Sequence, residues 1–96
     1  MLCLYRVKPG KEDEFLGYLR KHKPMLDSVG LASDKPAELF RARAKQGGTV
    51  FVELFEWKTA QSSDIAHQTP EVMQVWEPMG ALTDGMEFLH IEPVAG

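Results

Sequence analysis

Ninety-six residues with a net charge of −3, 44% hydrophobic and 26% charged, describe one folded domain over residues 1–96, near the lower end of what a hydrophobic core sustains alone. The composition excludes disorder, and the acidic balance gives no whole-molecule attraction for nucleic acid or an anionic membrane. The basic run Arg20-Lys21-His22-Lys23 reads as the solvated last turn of a helix, matching its dipole. Cys3 is the only cysteine, so an internal disulfide is impossible. It is either a small buried residue or, less in keeping with its apolar neighbours, a thiol nucleophile.

Leu2 to Val7 predicts a first strand. The opening MLCLYR meets Arg6 and Pro9-Gly10 too early for a signal-peptide core, and no run is long enough to span a membrane. The expectation is a cytoplasmic protein without a membrane partner. Lys8-Pro9-Gly10 suits a turn. Lys11 to Lys23 then reads as a helix, with Phe15, Leu19, His22 and Leu26 on one stripe. Glu12, Asp13 and Glu14 lie in its first turn, and Pro24 is expected to end it.

After a loop over Asp27 to Pro36, Ala37 to Lys45 alternates as a strand. Gln46-Gly47-Gly48 turns it into an antiparallel partner, Thr49 to Lys58. Thr59 is a candidate cap for a short helix to about Gln68, and Thr69-Pro70 restarts one. In this last helix Val72, Val75, Trp76, Met79 and Leu82 recur at steps of three and four. Pro78 predicts a kink or early stop. Asp84-Gly85 is expected to turn the chain into a final strand, Met86 to Glu92. The order β-α-β-β-α-β, with a broken second helical segment, is the α+β, ferredoxin-like pattern.

Thr49 to Lys58 carries apolar residues on both faces, and so little helix covers only one face of a small sheet. A second copy of the chain is the simplest cover for the other. Sorted by polarity, the more apolar set (Cys3, Tyr5, Val7; Phe40, Ala42, Ala44; Val50, Val52, Leu54; Leu89, Ile91) is expected under the helices. The mixed set (Leu2, Leu4, Arg6; Leu39, Arg41, Arg43; Phe51, Glu53, Phe55, Trp57; Met86, Phe88, His90) is expected to face a partner sheet and enclose a small-molecule chamber. Glu53 with Arg41 or Arg43 reads either as a cross-strand ion pair or as part of that pocket. His90 reads as structural or exposed, or as a ligand contact.

The segments YRVKPGKEDEF, VFVELFEWK, AHQTPEV and VW, with a closing strand, resemble the antibiotic-biosynthesis-monooxygenase family of dimeric α/β-barrel proteins. The likeness runs from about Tyr5 to Val94. It rests most on Glu56-Trp57, then Ala66-His67 and a Pro that opens a helix. The resemblance implies a homodimer with paired sheets and a cavity in each subunit between sheet and helices. It also implies oxygenation of a small phenolic or quinol-type compound without metal or flavin cofactor.

On that footing His67 is the candidate catalytic base or hydrogen-bond partner, or else it packs between the two helical pieces. Trp57 and Trp76 are candidate ring-stacking walls, Trp76 alternatively plain core. Arg41 and Arg43 are candidates to steady an oxyanion, with Glu53 and His90 further ligand contacts. The chain contains no asparagine, so an Asn-dependent oxygenation, as in the haem-degrading branch, is excluded. His22, His67 and His90 lie on separate elements, so a metal site is not expected. A non-catalytic dimeric barrel that binds a small hydrophobic ligand is the alternative. An isomerase or lactone-processing enzyme is a third reading.

Overall fold

The computed structural model describes residues 1–95. Its elements run β1 (Leu2–Val7), α1 (Glu12–Ser28), β2 (Glu38–Arg43), β3 (Thr49–Leu54), α2 (Ser62–Ala66), α3 (Pro70–Ala81) and β4 (Thr83–Leu89). The strands form one sheet in the order β2-β3-β1-β4, antiparallel at every pairing. This is the ferredoxin-like arrangement expected from the element order.

The turns follow their residues. Gly10 takes φ +78°, a region closed to most side chains, and Lys11 N–H reaches back to the Lys8 carbonyl at 3.0 Å. At the β2–β3 hairpin Gly47 and Gly48 both sit at φ +91°, while Gly47 N–H donates to the Ala44 carbonyl at 3.0 Å.

Element ends depart from expectation at the prolines. α1 continues through Pro24 to Ser28. Pro24 lacks the N–H that would bond the Arg20 carbonyl. The extension nevertheless buries Leu26 completely, which contributes about 1.5–3 kcal/mol. α3 likewise runs through Pro78 to Ala81, where Met79 is buried. Thr69 occupies the N-cap of α3 without capping it; its hydroxyl donates instead to the Ile65 carbonyl at 2.7 Å. β3 ends at Leu54, and Trp57 returns only as an isolated bridge to Ala32. β4 starts at Thr83, directly after α3, so Asp84-Gly85 lies in a strand and not in a turn.

The main correction concerns which face of the sheet the helices cover. In the register of β1 with β3, Cys3 stands opposite Glu53 and Tyr5 opposite Phe51. Directly opposite residues share a face. Tyr5, Phe51 and Phe55 therefore lie under the helices, and Val50, Val52 and Leu54 lie outside with Leu2 and Leu4. The β2 and β4 registers carry the swap outward. Arg41 stands opposite Phe51 and Phe88 opposite Cys3, so both are on the helix side. Phe40 and Leu89 are on the outer side, and roughly half of each is exposed.

Polarity misassigned three strands of four because the space under the helices is filled by volume. Phe15 of α1 meets Tyr5 at a ring-centroid distance of 5.2 Å and Phe51 at 5.6 Å. Small aliphatics would leave that layer underpacked. The one acid on the inner face, Glu53, is tolerated because partners meet it.

Candidate functional site

Between sheet and helices lies a cavity of about 400 Å³. Its floor is Cys3 and Tyr5 of β1 with Met86 and Phe88 of β4; α1 contributes His22, and α3 contributes Met73, Trp76 and Met79. Phe55 and Trp57, their rings edge to face at 4.8 Å, close one end. The chamber is thus built inside one chain, where the family resemblance placed it, and not between two sheets as the face sorting expected.

One buried hydrogen-bond chain runs behind this wall. Glu53 has no exposed surface. Its carboxylate accepts from the Tyr5 hydroxyl at 2.8 Å, and His22 Nδ1 lies 2.8 Å from both of its oxygens. Trp76 Nε1–H points at His22 Nε2, also at 2.8 Å. An indole nitrogen only donates, so His22 Nε2 must hold a lone pair and the imidazole proton sits on Nδ1, aimed at Glu53. Two helices, α1 and α3, and the β1–β3 pair are joined by this chain, and each donor in it has a definite acceptor.

The same carboxylate governs its neighbours. Burial first, then the charge of Glu53, pushes the Cys3 thiol up to about 12, so Cys3 is a buried thiol and not a nucleophile. The same two causes, in the same order, raise the Tyr5 hydroxyl far above its ordinary value. Tyr5 stays protonated and donating.

The candidates chosen from sequence divide. His67 ends α2, is exposed, and lies on the cavity wall with its ring edge to face with Trp76 at 5.0 Å. It stands at the rim. Trp57, Trp76 and His90 also line the cavity. Glu53 lies one bond behind the wall. Arg41 and Arg43 do not line the cavity. They belong to edge strand β2, exposed along its whole length, where Arg41 sits over the Phe51 ring at 5.3 Å. The suggested ion pair of Glu53 with either arginine is not formed, since Leu39 stands opposite Glu53.

Two residues central to the site, Tyr5 and His22, were missed as site residues. Tyr5 was sorted with the apolar face. His22 was placed on the apolar stripe of α1 with Phe15, Leu19 and Leu26, and a histidine in that company was the available signal. Among the described residues, no group of three His, Cys, Asp or Glu side chains converges to hold a metal ion. No helix is long and apolar enough to cross a membrane.

No family model matches the sequence, and no curated protein does. Solved structures do. One described as an antibiotic biosynthesis monooxygenase is 20% identical, covers 96% of each chain and superposes with a TM-score of 0.64. A second, from Chloroflexus aurantiacus and described as a candidate member of the same group, is 16% identical over 99% of this chain and 91% of its own, TM-score 0.64. The chain has the antibiotic-biosynthesis-monooxygenase fold. A NIPSNAP family protein from Agrobacterium tumefaciens, 13% identical over 90% of this chain and 76% of its own with a TM-score of 0.60, has the fold as well. The fold is therefore shared by proteins of more than one name, and the reaction has to be argued from the site.

Proposed function

We propose that this protein is a single-domain, homodimeric, cofactor-independent monooxygenase acting on a small quinol-type aromatic compound. The observation that carries the reading is the aromatic-walled cavity with an imidazole at its rim. Its volume, about 400 Å³, suits one or two fused rings. An electron-rich phenolate or enolate can itself reduce dioxygen, so the protein must take a proton, hold the substrate dry and exclude competing water. The step balances without an external reductant. One oxygen atom enters the ring as a new C–O bond, and the other leaves as water with the hydrogens and electrons the quinol gives up on becoming a hydroxyquinone.

In this reading His67 removes the hydroxyl proton at the rim, and Trp57 and Trp76 sandwich the ring. His90, on the same wall, contacts the ligand. Glu53 acts through Tyr5 and His22. Arg41 and Arg43 do not line the cavity, and this reading gives them no oxyanion role in the same chain.

Oxygen uptake with a panel of hydroquinones and anthrones tests this. Uptake should depend on the protein and fall by about a hundredfold or more in His67→Ala, the usual range for losing a positioned base. Uptake equal to the buffer control, or unchanged in that variant, would sink it.

The second reading is a barrel that binds such a compound without turning it over. The absence of asparagine, the residue used by part of the resembled family, favours it. Its mark is a rise in melting temperature with ligand concentration and no oxygen consumption.

A further inference from the structure

The hydrogen bonds behind the cavity wall all point one way. Trp76 donates to His22, and His22 and Tyr5 both donate to Glu53. Every strong donor of the network is therefore spent on an interior partner. What Tyr5 has left for the cavity is the acceptor lone pair of Oη. The Cys3 thiol beside it is only a weak donor, readily displaced. Behind Tyr5 sits a carboxylate with no exposed surface, and neither Lys nor Arg lines the cavity. The Met1 ammonium on the wall gives one of its three hydrogens to the Phe55 carbonyl at 2.8 Å, and the Trp57 indole N–H is buried without a partner; neither belongs to the chain of hydrogen bonds around Tyr5.

We propose that this inner wall is a hydrogen-bond-accepting subsite, which takes the hydroxyl of a neutral aromatic ligand onto Tyr5 Oη and rejects carboxylates and preformed phenolates. The inference rests on the reading of the cavity as the ligand site and narrows its substrate class. The ligand enters protonated, with one hydroxyl on Tyr5. A second hydroxyl, at the far end of the ring, is then the one within the province of His67. A ring with oxygens at opposite ends fits both ends of the cavity. A ring with a carboxylate set against Tyr5 meets a lone pair and a buried negative charge, where the donors of Tyr5, His22 and Trp76 are already committed.

Three probes of one shape decide it: naphthol, methoxynaphthalene and naphthoate, substituted at the same ring position and titrated against the wild-type protein at neutral pH by tryptophan quenching and calorimetry. Naphthol should bind about tenfold more tightly than its methyl ether, the worth of one well-placed hydrogen bond. Naphthoate should bind weakest. In Tyr5→Phe the naphthol preference should vanish while the ether is unaffected. The wild-type series stands by itself should that variant fail to fold.

Equal affinities for naphthol and the ether, no binding by any probe, or naphthoate binding tightest would each overturn the proposal. The last result would mean that Glu53 is protonated and donates to Tyr5, freeing the phenol O–H toward the ligand. None of these measurements requires turnover. The affinity order holding without oxygen uptake leaves the subsite standing and the monooxygenase reading fallen. Uptake with the order reversed does the opposite.

Discussion

Glu53 and His22 together occupy a place where an unpaired polar group is costly, and the bond between them links the Tyr5 and Trp76 donors into one network. His22→Ala would strand the Glu53 carboxylate with Tyr5 alone and leave the Trp76 N–H without an acceptor. The expected loss is about 3–5 kcal/mol, read from urea denaturation. Phe88→Ala, at a residue more than half exposed, should cost well under half as much. Cys3 gives a pH signature of known sign. Its thiol rises from an ordinary 9.0 to about 12, so above pH 9 the unfolded chain releases a proton that the native state keeps. Stability then falls as pH rises from 9 toward 12, by about 1.4 kcal/mol per pH unit. Tyr5 adds to the slope above its ordinary value of 10.0. Cys3→Ala should flatten the alkaline limb of a plot of denaturation midpoint against pH, and an unchanged limb would refute the assignment.

Among the elements, the prolines inside α1 and α3 show where sequence patterns lead and where they stop. Stripe spacing located both helices, and turn residues located the hairpin. The ends went astray because burial of Leu26 and Met79 outweighs the missing hydrogen bonds at Pro24 and Pro78, a comparison that only packing reveals. Face assignment failed for a related reason. The alternation in Thr49–Leu54 is plain in the sequence, but which side it offers to β1 depends on register, and a shift of one residue exchanges the faces. His67, Trp57, Trp76 and His90, singled out from the resemblance and the strand faces, all line the cavity. Tyr5 and His22 were not singled out, because their partner Glu53 lies 48 and 31 residues away in the chain. Pro24 is exposed, so Pro24→Ala restores an α1 bond without disturbing the core. It should raise stability by about 1 kcal/mol, seen as a melting temperature roughly 4–8 °C higher.

For the molecule as a whole, the uncovered outer face sets the expectation. Leu2, Leu4, Val50, Val52 and Leu54 are half-buried there, flanked by Phe40 and Leu89 with about half of each side chain exposed. An apolar sheet face of this extent is what a second copy would cover. Sedimentation at micromolar concentration should therefore give twice the chain mass. Val52→Arg, a charge at the centre of that face, should give the single chain, still folded by circular dichroism. A wild-type protein sedimenting as one chain would remove the dimer. The chamber beneath α1 and α3 would survive that result, for its roof and floor come from one polypeptide. The outer face and the chamber are thus independent features of the fold. The exterior of the sheet is free to acquire a different neighbour, or none, without redrawing the room between sheet and helices.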